Sequence, residues 1–401
     1  MIYLEVKING LFAFKDFSEN FVYSRKAKND EMFQHLENYP NLKYKKLNIL
    51  MGANSSGKST LGKMLCMISN YVLGRDISST LNIDLSLMCK KNALFNDNIY
   101  FETTFYHDKY VYRLYVSLDE QGITKESWKK IKLAKNDTYQ IIVNKLNNVD
   151  EQSIYIRDNN ELHFGFKSPE LSKVNSKFNL IKNISYSYNF QQFEFTRKVD
   201  DTIRESKEFR NHLLKIFDPS IASIDEITSV VTNEDGTQEE VNLNMERVRF
   251  VNGRVQDINF NKELTSENTS LSTGTIEAIH LAHILFKIKR FQILYLDEIM
   301  VHSHHELEPC VLQYIMKVLE KNEIQVFFTT HSVEALELDI PNYNYMFMRK
   351  SEDGYISKAV HPSDTRKHNK RTLAHAYIND QFSTSPDTTN FIDLILEYDD
   401  E

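Results

Sequence analysis

The residues best placed to do chemistry are Gly52-Ala53-Asn54-Ser55-Ser56-Gly57-Lys58-Ser59-Thr60. The apolar run Leu47-Asn48-Ile49-Leu50-Met51 precedes them, and helix-compatible Leu61-Gly62-Lys63-Met64-Leu65 follows. Strand, glycine loop and helix in that order are the setting of a phosphate-binding loop. The glycines let the backbone wrap a polyphosphate, and N–H groups at a helix start attract anions. The expected contacts are therefore Gly52, Asn54, Ser55, Ser56, Gly57 and Thr60. Lys58 would reach the β- and γ-phosphates, and the Ser59 hydroxyl would ligate Mg²⁺.

Three further segments follow in fixed order. Leu271-Ser272-Thr273-Gly274-Thr275 precedes a long helical pattern. Ser272 or Thr273 can cap that helix, and Gly274 keeps its backbone open, as a second phosphate-binding helix start requires. Ile293-Leu294-Tyr295-Leu296-Asp297-Glu298 is an apolar strand ending in two acids. Asp297 can hold the water shell of Mg²⁺, and Glu298 is placed to polarise an attacking water. Phe327-Phe328-Thr329-Thr330-His331 is a second buried strand, ending 33 residues past Glu298. That separation fits one helix and a parallel crossover, so His331 is expected at the carboxyl edge of a parallel sheet, where ligands sit.

The elements that position these residues are legible in the periodicity. The first 50 residues read as strands, Leu11–Phe14 among them, with a helix near Asp30–Asn38. The phosphate-loop helix runs to about Leu73, and 78–94 is helical. From Ile99 to Lys167 the pattern has period two, with strands at Ile99–Tyr106, Tyr110–Val116, Tyr139–Val143 and Ser153–Ile156, and turns at His107–Lys109 and Asp119–Gly122. A helix over 200–217 stops at Asp218-Pro219. Alternation returns over 224–260, with a turn at Asn233–Gly236. Thr275–Arg290 and Glu306–Lys321 are amphipathic helices, with Leu281, Ile284, Leu285 and Ile288, and Leu312, Ile315, Met316 and Leu319, on their apolar faces.

With 401 residues, 41% of them hydrophobic and 26% charged, the chain suits two or three globular domains or one large domain with insertions. No apolar run approaches the roughly 20 residues a membrane span needs. The N-terminus alternates like a strand and lacks the blocks of a signal peptide, and Cys66, Cys89 and Cys310 are unpatterned. The expectation is a cytoplasmic protein that does not engage a membrane. A net charge of −8 argues against a constitutive nucleic-acid coat, although Lys125, Lys129, Lys130, Lys132 and Lys135 could still form a local groove.

Gly52–Thr60, Leu271–Thr275, Asp297-Glu298 and His331 together resemble the Walker A, signature, Walker B and switch-histidine motifs of ABC-class ATPases. Within that class the chain is similar to the RecF/SMC/OLD branch. Asp297 to His305 resembles that branch's Walker B and D-loop stretch, with His302 and His304 matching its two histidines. Ile299, Met300, Val301, Ser303 and His305 depart from the pattern. The three histidines lack the carboxylate or cysteine spacing of a metal site. The signature carries Thr273-Gly274-Thr275 where transporters have a double glycine and a glutamine.

The resemblance implies an α/β fold: a P-loop ABC-type ATPase core with an inserted antiparallel β-sheet and a helical subdomain. Its parts would be 1–95 and 265–360 as core, 96–199 as the insert, 200–264 as a connecting subdomain and 361–401 as a tail. It also implies ATP and Mg²⁺ as cofactors, and a homodimer or higher homo-oligomer closing through its ATP sites. Ser272 and Gly274 of one copy would meet the nucleotide of the other. Glu298 would be the general base, His331 the γ-phosphate sensor, and Gln191 or Gln192 the lid contact. Compact members of this branch without long heptad arrays resemble ATPase components of antiphage systems of the PARIS and Septu kind. Those hold or release a separate effector, often a nuclease. The alternative is a RecF-like ATP-gated DNA-binding repair protein, so nucleic acid remains a possible partner.

Overall fold

The computed structural model describes residues 1–23, 36–78, 83–93, 98–158, 164–178, 181, 184–190, 193–197, 207–232, 237–259, 271–301, 306–362 and 373–384. Along the chain, β1 (Ile2–Asn9), β2 (Phe17–Asn20) and β3 (Leu47–Met51) lead into α1 (Lys58–Val72) and α2 (Leu85–Ala93). Then come β4 (Tyr100–His107), β5 (Tyr110–Asp119), β6 (Gly122–Lys132), α3 (Tyr139–Asn148) and β7 (Ser153–Ile156). Next are β8 (Tyr186–Phe190), β9 (Phe193–Arg197), α4 (Lys207–Phe217), β10 (Ile221–Thr232), β11 (Gln238–Phe250) and β12 (Val255–Asn259). The last are α5 (Thr273–Lys287), β13 (Ile293–Asp297), α6 (Leu307–Lys321), β14 (Gln325–Thr329), β15 (Tyr345–Phe347) and α7 (Leu373–Ile378). The fold is mixed α/β, as expected. Among the described residues no helix is long and apolar enough to cross a membrane.

The chain divides into two units, Met1–Ile184 with Gln325–Glu401, and Ser185–Ile324. In the first unit the antiparallel strands β4 to β7 share one sheet with the N-terminal strands, in the order β2-β1-β4-β5-β6-β7. The β4–β5 turn is two residues, Asp108 and Lys109, both at positive φ, as the right-handed twist of a tight hairpin requires. The same unit holds β3 in parallel register between β14 and β15. Every residue of β3 and β14 is buried, the pattern of parallel strands covered on both faces.

Tyr3 ties these pieces together. The β1–β4 ladder shifts register between Tyr3 and Glu5. There the fully buried Gln325 side chain accepts from Tyr3 N–H at 2.8 Å and donates to Tyr3 C=O at 3.0 Å. The Tyr3 hydroxyl donates to Leu65 C=O of α1 at 2.6 Å and meets Ser69 Oγ at 2.8 Å.

Several expectations change. Tyr139–Val143 is helix, not strand. Thr138 caps it through Ile141 N–H, and Ile142 and Leu146, one turn apart, are buried in a cluster with Leu4, Val111 and Leu133. Burial at helical spacing overrides the β-preference of Ile141, Ile142 and Val143. Leu11–Phe14 is a tight turn, with Phe14 N–H bonded to Leu11 C=O and Phe12 at φ 54. The helix foreseen near Asp30–Asn38 lies mostly outside the described residues, and its end is a turn closed from Leu36 to Tyr39. On α6 the buried face is Val311, Leu312, Ile315, Val318 and Leu319, and Met316 is only half-buried.

In the second unit β13 runs parallel to β8, and β9 returns antiparallel to β8. Strands β10, β11 and β12 form a separate antiparallel sheet. The α5 face foreseen at Leu281, Ile284, Leu285 and Ile288 is buried.

Replacing Gln325 by Leu strands two buried backbone groups of Tyr3, so urea unfolding should show a loss of about 2 kcal/mol or more. An unchanged midpoint would remove the clamp from the argument. A second test concerns Glu126 of β6, which accepts from Tyr71 Oη and the Glu170 N–H, both at 2.9 Å, and from Ser168. Burial pushes its carboxyl above the usual 4.5, although these donors pull the other way. The stability tied to its proton is present below 4.5 and fades as pH rises through the raised folded value. Measured against Glu126→Gln, the wild type should lose stability as pH climbs from 4 to 7, and parallel pH profiles would contradict this.

Candidate nucleotide-binding site

The loop after β3 is shaped by its glycines. Gly52 has φ 145 and Gly57 φ 101, both outside the range L side chains adopt readily. A Cβ on Gly52 would collide with the Met348 carbonyl, and one on Gly57 with the Ile356 side chain. Ser55 also sits at positive φ, 63°. No side chain caps the start of α1. Asn54 and Ser55 are exposed, and Ser59 and Thr60 half-buried. Among the described residues Ser56 Oγ is buried with no hydrogen-bond partner. Such a cradle, glycine-bound and carrying an orphaned hydroxyl and a lysine, fits a polyphosphate.

Lys58 is only 3% exposed, so its ammonium needs partners. It donates to Gly52 C=O at 2.9 Å and Ala53 C=O at 3.2 Å, and lies 3.3 Å from His331 Nε2. A lysine ammonium can only donate, so Nε2 is the acceptor and the imidazole is neutral. Strand β14 brings His331 here through its parallel register with β3, in which Thr329 faces Leu50. His331 itself is exposed, within reach of an incoming ligand.

In the second unit Asp297 ends β13 fully buried. Tyr188 of β8 donates its hydroxyl to Asp297 Oδ2 at 2.9 Å. Glu298 follows at φ 48, a left-handed turn that takes the chain out of the strand and leaves Glu298 half-exposed. These two acids therefore differ in environment: one is held, the other accessible.

Ser272, not Thr273, is the cap of α5, accepting from Thr275 N–H at 3.1 Å. Thr275 Oγ1 lies 2.8 Å from Ser272 Oγ and donates to Asp218 Oδ2 at 2.6 Å. Burial pushes the Asp218 carboxyl up, but donors from Ser220 and Thr275 outweigh it and hold it below its ordinary value. Ser272 is exposed and Gly274 half-buried in the first turn. Gln191, Gln192 and His302, His304 and His305 lie outside the described residues.

Tyr188 and Asp218 escaped the sequence reading. Asp218 stood out only as a helix stop before Pro219. Tyr188 belongs to a run of aromatic residues, and only the register that sets β8 beside β13 reveals its reach.

The lysine cluster is split by strand alternation. Lys125 and Lys129 share one sheet face, where with Glu102, Arg113, Tyr115, Ser127 and Glu151 they line a cavity of about 280 Å³. Lys130 alternates with them and stands over the Tyr110 ring at 4.1 Å. The cavity mixes both signs of charge, and Lys7 pairs with Glu102 at 2.9 Å.

Among curated proteins no sequence matches this chain. Solved structures similar to this chain include three SMC heads. The SMC head domain from Thermotoga maritima shares 11% identity at a TM-score of 0.36, covering 90% of this chain and 99% of that one. An SMC head bound to the C-terminal winged-helix domain of ScpA shares 12% at 0.41, covering 91% and 99%. An SMC head with an extended coiled coil, bound to the ScpA C-terminal domain derived from Pyrococcus furiosus, shares 11% at 0.40, covering 91% and 98%. The family model described as "AAA domain, putative AbiEii toxin, Type IV TA system" matches residues 47–337, most of the chain, and the chain belongs to that family.

Proposed function

We propose that this protein binds and hydrolyses Mg²⁺-ATP as the sensor or scaffold subunit of an antiphage defence complex, holding or releasing a separate effector such as a nuclease. The observation that carries the ATP reading is the buried Lys58 ammonium inside the glycine loop, with His331, from a distant part of the chain, at 3.3 Å. The family's description, which names a toxin of a type IV toxin–antitoxin system, supports the defence setting.

In this reading Lys58 exchanges its loop carbonyls for phosphate oxygens, and the cradle from Gly52 to Thr60 binds the polyphosphate. Ser59 and Asp297 would be the Mg²⁺ ligands, and the ion would supply positive charge for the phosphates. His331, relieved of Lys58, would turn a ring N–H to the γ-phosphate, whose oxygens accept. Glu298, half-exposed beyond its strand, takes the proton of the attacking water. Ser272 and Gly274 of a second copy close the site, and ATP occupancy thereby sets the state of the dimer and of the effector it holds.

Lys58→Ala should weaken ATP binding by about 10- to 100-fold in calorimetry, since charge-assisted hydrogen bonds are lost. Equal affinity in the two proteins would sink the loop assignment. Glu298→Gln should bind ATP as the wild type does while turnover falls about 10²- to 10⁴-fold. Retained turnover would reassign the base. Native mass spectrometry of Glu298→Gln, expressed with its neighbouring genes, tests the assembly: ATP-dependent doubling and nucleotide-dependent retention of a second polypeptide are expected. A mass indifferent to ATP counts against the closing dimer, and turnover stimulated by DNA alone would favour a repair role.

A further inference from the structure

Tyr188 and Asp297 lie on adjacent parallel strands, in a register that sets Tyr188 opposite Tyr295 and Phe190 opposite Asp297. Tyr188 is therefore two register positions behind the acid it reaches. Its ring packs against Tyr295, centroids 5.6 Å apart, and this contact directs the hydroxyl along the strand to Asp297 Oδ2 at 2.9 Å. Tyr188 is 2% exposed and Asp297 fully buried, so the bond forms where water does not compete.

A protonated tyrosine hydroxyl is a neutral donor. It stabilises the carboxylate without cancelling its charge, as a lysine or arginine partner would. It also fixes the rotation of the carboxyl group, since Oδ2 must stay on the hydroxyl. A carboxylate that must hold a cation or its water shell needs both properties: full charge and a fixed orientation.

We propose that Tyr188 is the positioning residue for Asp297 and sets the affinity of the nucleotide complex for Mg²⁺. This rests on the Mg²⁺ role proposed for Asp297. Tyr188 touches neither nucleotide nor metal in this scheme and acts through the carboxylate alone. Its removal should therefore leave metal-free nucleotide binding intact and weaken the metal-dependent part.

The test is calorimetric ATP binding to the full-length chain, first in EDTA and then across a Mg²⁺ series, for wild type, Tyr188→Phe, Asp297→Asn and Lys58→Ala. Tyr188→Phe keeps the ring and its contact with Tyr295. Its EDTA affinity should stay within about twofold of wild type, which also shows that it folds, while the Mg²⁺ concentration for half-maximal enhancement rises about tenfold. Asp297→Asn should lose the Mg²⁺ enhancement, and Lys58→Ala should bind poorly in both conditions. A wild-type Mg²⁺ midpoint in Tyr188→Phe, with Asp297→Asn impaired, overturns the positioning role and leaves the Asp297 assignment standing. An undiminished enhancement in Asp297→Asn overturns both. Loss of EDTA binding in Tyr188→Phe would make the residue a structural one and likewise overturn the proposal.

Discussion

Tyr3 commits its backbone N–H, its backbone C=O and its hydroxyl to holding other elements in place. Through Gln325 it fastens the first strand to the strand that ends at His331, and through Leu65 and Ser69 to the helix that begins at Lys58. All four side chains are buried, so water offers no substitute partners. Hydrophobic contact alone would tolerate sliding of a strand past a helix, because it is non-directional. Directed hydrogen bonds on both sides of one residue do not. The separation of Lys58 and His331, a matter of tenths of an ångström for hydrogen bonding, depends on this polar clamp inside an apolar core.

Among the described residues the lysine so positioned meets two carbonyls and an imidazole nitrogen. An ammonium has three protons, and a buried one that lacked a partner would carry a large desolvation cost. The loop therefore satisfies its own cation, and a ligand must offer acceptors that outcompete neutral ones. Phosphate oxygens do so because charge-assisted hydrogen bonds are about twice as strong as neutral ones. Neutral ligands of the same shape would gain nothing by displacing Lys58. In the proposed site, preference for an anion would follow from these existing bonds as well as from the lysine's charge.

Much of this architecture was legible because the phosphate loop compresses its requirements into nine residues. Gly52 and Gly57 stand at positive φ where an added Cβ would collide with the Met348 carbonyl and the Ile356 side chain, and the mostly apolar runs Leu47–Met51, Ile293–Asp297 and Gln325–Thr329 are buried end to end, a pattern that parallel strands impose. Tyr139–Val143 misled because three β-formers outweighed, by local preference, a helix fixed by two distant burials, Ile142 and Leu146. Tyr188 and Asp218 were invisible for a different reason. Their roles arise from hydrogen bonds across 109 and 57 residues of chain, and no spacing rule encodes such a partner. The sequence order of motifs shows which groups carry charge; side-chain orientation waits on register.

The signature segment shows what that orientation decides. Thr275 has one hydroxyl proton, and it goes to Asp218. The 2.8 Å contact between Thr275 and Ser272 hydroxyls must then be filled by the proton of Ser272. So the exposed serine of the cap is a donor already in use, its oxygen accepting from Thr275 N–H in return. A γ-phosphate from a second copy would have to recruit that proton away from Thr275, leaving the threonine with only its bond to Asp218. Where transporters carry glutamine, this chain has a buried threonine bound to a carboxylate whose charge is kept by its donors. The availability of the Ser272 proton therefore depends on the Thr275–Asp218 bond. The departure of Thr273-Gly274-Thr275 from the common signature thus bears on where a proton resides, and closure in trans, as proposed, would be sensitive to the group at the end of α4.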